Sequence, residues 1–136
     1  MTEGKIHLKI ITTENIAFED DVDAIYTQGE CGSFGVLYNH VPFMSALKIG
    51  VTKIVKNGEN IFYTTMGGAF QVKDNDAIIL TSHAENSKDI DILRAKDAKE
   101  RAETRLHTED KNIDIERAQL ALAKALARIK ASEEQY

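Results

Sequence analysis

The sequence predicts a β-sandwich or flattened barrel over residues 1–86, followed by an antiparallel two-helix hairpin over residues 87–136. Three observations lead to this fold class. Polar and apolar residues alternate with a period of two up to about residue 83, as in strands with one solvated face. Seven of the eight glycines and the single proline lie between residues 29 and 68, which is typical of short strands joined by turns. Neither residue type occurs from Ser87 onward, where alanine and charged residues dominate.

Six runs in the first part have the pattern of strands. The dipeptide Asn57-Gly58 separates the third run from the fourth, and it favours a tight hairpin because both residues tolerate positive φ. The tripeptide Asp74-Asn75-Asp76 provides a turn between the last two runs. The predicted strands are residues 5–10, 22–27, 51–56, 61–66, 70–73 and 77–81.

The second part has two stretches of helical periodicity joined by a polar loop. Ser87 is predicted to cap the first helix, with Asp89 and Asp91 in its first turn, and Asn112 or Asp114 to cap the second. Alanine-rich helices associate closely but bury little apolar area, so we expect a hairpin that can leave the β-domain at modest cost. The predicted interface residues are Ile90, Leu93, Ala98, Ala102 and Leu106, then Ile115, Ala118, Leu122, Ala125, Leu126 and Ile129.

The composition excludes several classes of function. Cys31 is the one cysteine, and the four histidines show no ligand spacing, so neither a disulfide nor a metal site is expected. A net charge of −5 argues against nucleic-acid binding. No apolar run reaches the roughly 18 residues of a membrane span, and the N-terminus lacks the layout of a signal peptide.

Charge is distributed unevenly along the chain. Residues 1–86 contain six basic and eleven acidic residues, whereas residues 87–136 contain eleven of each. A basic strip, defined here as Arg117, Lys124, Arg128 and Lys130, spans a stretch without any acidic residue. Such a strip is either a solvated helix face or a surface that meets an acidic partner or a polyphosphate.

No catalytic motif is recognisable. The chain has no phosphate-binding P-loop, no dinucleotide-binding glycine pattern and no nucleophile elbow. Cys31, Ser33 and His40 lie close in sequence and suggest a Cys-His nucleophile pair, but no activating acid or oxyanion motif accompanies them. We therefore expect a protein that is not an enzyme by itself.

Three segments in order resemble one family. Residues 32–42, GSFGVLYNHVP, resemble the G-E-L-G-I-L-P-G-H-x-P signature of the epsilon subunit of F-type ATP synthases. Residues 67–72 are similar to that family's G-G-F-x-E-V element, and residues 90–95 to its I/L-D-x-x-R-A motif. The resemblance therefore covers essentially the whole chain. Departures are Ser33 for the family's glutamate, Tyr38-Asn39 for its Pro-Gly step, and Ala69 and Gln71 in the second element.

The resemblance implies a non-catalytic rotor subunit that couples ion translocation to ATP synthesis. It implies a ten-stranded sandwich bound to the gamma subunit of the central stalk and to the membrane rotor ring. The helical hairpin would lie on the sandwich or extend to the catalytic alpha and beta subunits, where it inhibits ATP hydrolysis. The subunit would be peripheral, at the cytoplasmic face of the cell membrane, and would contact the membrane only through the complex.

The resemblance also implies interface residues. The rotor-ring interface would include Glu30, Ser33, His40 and Pro42, with Glu30 lying three residues before the serine that replaces the family's glutamate. Contacts to the catalytic head would come from basic residues of both helices. These are Arg101, Arg105, Arg117, Lys124 and Arg128.

Some family members bind ATP on this subunit, which needs no cofactor for its structural role. At the motif, the carboxylate of Asp91 could accept from an adenine amino group and the guanidinium of Arg94 could contact a phosphate. The alternative is an Asp91–Arg94 pair within the helix beside exposed basic residues. The residues implied for regulatory ATP binding are Glu85, Ile90, Asp91, Arg94, Ala95, Lys124 and Arg128.

Two other functions stay open on the sequence. One is a free-standing β-sandwich adaptor whose helical tail uses the basic strip on an unrelated acidic partner. The other is a small hydrolase that uses Cys31 and His40. The rotor-subunit reading requires association with a rotary stalk and an effect on its ATPase rate. Neither the adaptor nor the hydrolase reading predicts these.

Overall fold

The computed structural model describes residues 4–108 and 114–133. In these residues one hydrogen-bonded sheet is followed by a short 3-10 helix, Ser87–Asp89, and two α-helices. The strands are β1 Ile6–Ile11, β2 Ile16–Val22, β3 Ala24–Gly29, β4 Gly32–Leu37, β5 Phe43–Lys56, β6 Glu59–Lys73, β7 Asp76–Leu80 and β8 Ala84–Asn86. The helices are α1 Ile92–His107 and α2 Ile115–Glu133. The predicted fold class, a β-sandwich followed by two helices, is confirmed.

The strand order is β2-β1-β7-β6-β5-β3-β4, and β8 pairs with β6. β1 and β7 run parallel, with His7 opposite Asp76, while the other pairs of the described chain are antiparallel. The longest ladder joins β5 to β6 and ends in the predicted turn, where Asn57 and Gly58 have φ of 51° and 81°. The prediction of a tight β-hairpin at Asn57-Gly58 is therefore confirmed.

β6 is one strand where the sequence pattern predicted two. Gly67 and Gly68 lie at its middle with φ of 78° and 114°. The residues before this pair bond to β8, and those after it bond to β7. The described chain thus has eight continuous strands rather than ten, and counting each of the long strands β5 and β6 as two segments accounts for the difference.

Three strands escaped the sequence analysis. β2 contains Glu19, Asp20 and Asp21 in succession, which hides its alternation. β4 contains two glycines, and β8 has three residues. β2 and β4 occupy the two ends of the strand order, where charged and short strands are tolerated because one edge is solvated.

The hydrophobic core is formed by side chains of the strands and includes a cluster of aromatic rings. Phe70 is fully buried, and the ring of Phe34 lies 5.2 Å from it and 5.1 Å from the ring of Phe43. The fully buried aliphatic residues around them are Ile6, Leu8, Ile10, Val22, Ile25, Val36, Ile54 and Ile79. Burying a side chain of this size contributes about 1.5–3 kcal/mol.

The helix caps differ partly from prediction. Ser87 does not cap α1, because it begins the 3-10 helix, and Ile90 is extended between the two helices. Asp91 is the N-cap of α1, so neither Asp89 nor Asp91 lies in the first turn of that helix. The predicted Asp114 cap is confirmed, since its Oδ1 accepts from the backbone N–H of Arg117 at 3.1 Å, while Asn112 lies outside the described residues.

The alanine interface between the helices is confirmed. Ala95 and Ala102 of α1 are buried, as are Ala118 and Ala125 of α2. The prediction was wrong for Leu93, Ile115 and Leu126, which are exposed. Residues two positions apart point to nearly opposite sides of a helix, so a face centred on Ala95 leaves Leu93 outside.

The hairpin contacts the sheet over a small apolar area. Ala131 of α2 is fully buried against Val51 of β5 and Phe62 of β6, with Ile90 packed beside them. An alanine brings little apolar surface to such a contact, so the hairpin is held weakly. The structure therefore shows the arrangement in which the hairpin lies on the sheet.

His7 joins β1 to the acidic edge strand β2. Its Nδ1 lies 2.8 Å from Oδ1 of Asp21, and its Nε2 lies 2.8 Å from Oε2 of Glu19. The protonated ring can donate to both carboxylates, so the hydrogen bond to Asp21 and then that to Glu19 raise the pKa of His7. The hydrogen bond from His7 likewise lowers the pKa of Glu19.

This contact predicts a pH-dependent stability. Because the pKa of His7 is higher in the folded protein than in the unfolded one, protonated His7 stabilises the fold. This contribution is complete below the unfolded-state pKa of about 6.5, and it disappears as pH rises through the folded-state pKa. We expect His7→Gln to reduce the free energy of unfolding more at pH 5.5 than at pH 9 in urea titrations. Lys73→Gln, which removes an exposed charge of β6, should have the same effect at both pH values. Equal losses for His7→Gln at both would contradict the prediction.

Candidate functional site

A cleft of about 470 Å³ opens where β8, the 3-10 helix and the helical hairpin meet. It is bounded by the sheet on one side and by both α-helices on the other. Its lining combines three guanidinium groups, three carboxylates, an imidazole and a small apolar surface. The lining residues are His83, Glu85, Asp89, Ile90, Asp91, Arg94, Ala95, Ala98, Arg101 and Arg128.

The start of α1 sets the positions of its lining residues. Oδ1 of Asp91 accepts from the backbone N–H of Arg94 at 3.1 Å, which fixes where the helix begins. Arg94, Ala98 and Arg101 then follow at spacings of four and three residues, so they share one helix face. Two guanidinium groups of α1 therefore point toward the same cleft.

One ion pair connects α2 to the sheet across the cleft. Nε of Arg128 donates to Oε1 of Glu85 at 2.8 Å, and each side chain is 28% exposed. Glu85 is itself anchored, because its backbone N–H donates to Oγ1 of Thr64 at 3.2 Å. Among the described residues this is the one ion pair between the hairpin and the sheet, and partial burial makes it stronger than a fully solvated pair.

The chemistry of the cleft suits a ligand with several negative charges. Guanidinium groups bind phosphates through paired, charge-assisted hydrogen bonds, and Arg94 and Arg101 have no ion pair within the described parts of the chain. Asp89 and Asp91 can accept from amino groups, as an adenine provides. Ile90 and Ala95 add an apolar surface for a ring.

The structure brings together six of the seven residues predicted for ATP binding. Lys124 is the exception, because it lies one turn of α2 before Arg128 and does not line the cleft. The six that line it are Glu85, Ile90, Asp91, Arg94, Ala95 and Arg128.

Four lining residues were missed, or were given another role, in the sequence analysis. Arg101 was predicted to contact the catalytic head, although its spacing of seven residues from Arg94 already placed both on one face. Asp89 was treated as a helix-start residue, and Ala98 as part of the helix interface. His83 carried no signal, because it lies in the loop before β8 and belongs to no motif.

Asp91 and Arg94 do not form the ion pair within the helix that was the alternative to ATP binding. The carboxylate of Asp91 bonds to the backbone N–H of Arg94 and not to its guanidinium. The side chain of Arg94 is thus available to a ligand, while Asp91 also holds the end of the helix.

The residues predicted for the rotor-ring interface lie in two places along the chain. Glu30 is exposed in the turn between β3 and β4, where its backbone N–H donates to the carbonyl of Ala46 at 3.0 Å. Ser33 is exposed on β4 itself. His40 and Pro42 lie in the connection from β4 to β5.

Exposed apolar side chains lie in and beside that connection. Val41 and Met44 are each 70% exposed, and Leu37 at the end of β4 is also exposed. Large apolar side chains that are exposed near one another in a loop region are a candidate interaction surface. This surface adjoins His40 and Pro42, so the connection combines polar and apolar contact groups.

The residues predicted to contact the catalytic head are not uniformly exposed. Arg105 and Arg117 are exposed on their helices, and Lys124 is half-buried. Arg101 and Arg128 line the cleft, and Arg128 is bound to Glu85. The basic strip is therefore only partly a free surface while the hairpin lies on the sheet.

The residues of the hydrolase hypothesis do not form a site. Cys31 is exposed in the turn after β3, while Nδ1 of His40 lies 2.7 Å from the carbonyl oxygen of Val41. Within residues 4–108 and 114–133, no group of acidic, histidine or cysteine side chains is arranged to hold a metal ion. No helix in these residues is long and apolar enough to cross a membrane.

Comparison with known proteins identifies the family. Residues 5–87 match the beta-sandwich domain of the ATP synthase delta/epsilon chain, and residues 88–133 match its long alpha-helix domain. This chain belongs to the ATP synthase delta/epsilon chain family. As a family member it is a non-catalytic subunit, as the sequence predicted, and neither the free-standing adaptor nor the hydrolase reading is needed.

Bacterial relatives support the same assignment over nearly full length. The ATP synthase epsilon chain of Nitratidesulfovibrio vulgaris is 42% identical over 94% of this chain and 96% of its own. That of Desulforamulus reducens is 39% identical over 93% and 96%. A chain of the Euglena gracilis mitochondrial ATP synthase, at 22% identity, has the same fold, with a TM-score of 0.81 over 99% of this chain and 83% of that one.

Proposed function

We propose that this family member is a central-stalk rotor subunit of an F-type ATP synthase. The observation that supports it most strongly is the pairing of both family domains, in order, over residues 5–133. Its partners would be the gamma subunit and the membrane rotor ring through the β-domain, and the catalytic alpha and beta subunits through the hairpin. ATP synthase is a membrane-associated complex, and we place this subunit at its cytoplasmic face.

The hairpin acts as a movable inhibitor of ATP hydrolysis in this proposal. Over residues 92–108 and 114–133, its contact with the sheet is the small apolar area around Ala131 and the ion pair between Arg128 and Glu85. Both arrangements are populated only if their free energies differ by no more than a few kcal/mol, and such limited contact is consistent with a small difference. Once the hairpin leaves the sheet, Arg128 joins Arg105 and Arg117 as a free basic group for an acidic partner.

Regulatory ATP binding is the second part of the proposal. The cleft exists only while the hairpin lies on the sheet, because its lining comes from β8 and from both helices. A nucleotide bound there would stabilise that arrangement by its differential affinity and oppose inhibition. Arg94 and Arg101 would hold the phosphates, and Asp91 would accept from the adenine amino group.

Calorimetric titration of the full chain with magnesium and ATP tests the binding site. We expect Arg94→Ala to weaken binding more than tenfold, because a charge-assisted phosphate contact contributes about 1.5–3 kcal/mol. Asp91→Ala should also weaken it, but this change removes a helix cap worth about 1 kcal/mol and is less specific.

The matched control is Lys99→Ala. Lys99 lies on the same helix, pairs with Glu103 at 3.7 Å and does not line the cleft, so its loss should leave the affinity unchanged. If wild type and Arg94→Ala bind ATP equally, or if neither binds it at millimolar concentration, the cleft is not a nucleotide site.

A further inference from the structure

The sheet side of the cleft differs in charge from its helical side. The helical side contributes the arginines Arg94, Arg101 and Arg128 together with Asp89 and Asp91, whereas the sheet side contributes Glu85 of β8 and His83 of the loop before it. Glu85 is negative and already engaged with Arg128. On the sheet side a polyphosphate would therefore meet the Glu85 carboxylate, and a protonated His83 is the group there that can offset this negative charge.

His83 is free to serve a ligand. Its backbone carbonyl accepts from the N–H of Met66 at 3.2 Å and from Oγ1 of Thr81 at 3.2 Å, which fixes the loop. Its side chain is exposed in the cleft, and no hydrogen bond or ion pair of the imidazole is present among the described residues. The loop thus presents the ring to the cleft without an internal partner.

We propose that His83 is a proton-dependent phosphate contact, so that the cleft binds a nucleoside triphosphate more tightly as pH falls from about 8 to 6. This inference rests on the proposed function of the cleft. Histidine is the side chain whose charge ordinarily changes in this range. The charged groups that face it are Glu85 of β8, Asp89 of the 3-10 helix, Asp91 and the arginines of α1, and Arg128 of α2.

The consequence is a link between pH and the position of the hairpin. Binding and protonation favour each other by the same factor, because the coupling is reciprocal. A ligand that contacts His83 on the sheet and Arg94 on α1 bridges the two parts of the molecule. Mild acidification would therefore hold the hairpin on the sheet whenever nucleotide is present.

The test compares magnesium-ATP affinity at pH 6.0 and pH 8.0 for the full chain and for His83→Gln. ATP itself changes protonation in this range, so the variant supplies the baseline. We expect the ratio of the two affinities to be about fivefold larger for wild type than for His83→Gln, the lower end of typical couplings. Proton uptake on binding, measured in buffers of different ionisation enthalpy, should fall in the same variant.

His107→Gln is the matched control, since His107 ends α1 and does not line this cleft. It should keep the wild-type ratio, and circular dichroism should show that both variants are folded. If His83→Gln binds ATP with the wild-type ratio and proton uptake, the proposal for His83 is wrong and the nucleotide site stands. If the wild-type chain binds no ATP at either pH, both proposals fail.

Discussion

Removing residues 87–136 is expected to raise ATP hydrolysis by the assembled ATP synthase several-fold while leaving ATP synthesis nearly unchanged. In its described residues the hairpin touches the sheet through few apolar groups and one ion pair, so the β-domain keeps its own core and its docking surfaces. The measurement is the rate of hydrolysis by the purified complex, with full-length or shortened subunit, across a range of ATP concentrations.

Two controls make this result specific. The isolated fragment 1–86 should give the circular dichroism spectrum of a folded β-protein, which also tests the predicted domain boundary. Replacing Arg105 and Arg117 together by alanine, both exposed and outside the cleft, should raise hydrolysis less than the deletion does. Unchanged hydrolysis in the deletion complex would mean that the hairpin is not an inhibitor in this protein.

Gly68→Ala is expected to lower the free energy of unfolding by about 3 kcal/mol or more. A Cβ atom at this position would lie 1.8 Å from the carbonyl oxygen of Leu80, and the φ of 114° is itself unfavourable for alanine. The clash involves backbone, so it can be relieved only by separating β6 from β7. Urea unfolding of the full chain, followed by circular dichroism, measures the loss.

Gly58→Ala separates the two causes. Gly58 also has positive φ, at 81°, but a Cβ there would have no atom within 4 Å. Its substitution should therefore cost only about 1–2 kcal/mol, the conformational penalty. Similar losses for both variants would show that the contact with Leu80 has no energetic consequence.

Local patterns predicted the features that depend on neighbouring residues. The turn at Asn57-Gly58 is determined by backbone preferences, and the alanine interface by helical periodicity. By contrast, the pattern of β2 is obscured by its acidic residues, which are tolerated because the strand lies at an edge of the sheet. An edge position depends on the whole topology and cannot be seen in the strand itself.

The site residues also divide into those that a local motif reveals and those that depend on the whole topology. The cluster around Asp91 and Arg94 belongs to one motif and was found as a motif. Arg101 could have been predicted as a site residue, because it lies seven residues after Arg94 and therefore on the same helix face. His83 was not, since it enters the cleft only when β8 pairs with β6 and brings the preceding loop beside α1. Residues joined by tertiary pairing, with no periodicity between them, leave no trace in a single sequence.

The parallel pairing of β1 with β7 has a consequence during biosynthesis. One edge of β1 can be covered early by β2, but the other edge must wait for residues 76–80. At about 5–20 residues per second, that delay is roughly 4–14 s on the ribosome. During this time the side chains of Ile6, Leu8 and Ile10, which are buried in the folded protein, stay exposed to solvent. An exposed apolar strand with an unpaired edge favours association between nascent chains. The sheet closes only when most of the domain has been translated, so the hairpin emerges onto a surface that has only just formed.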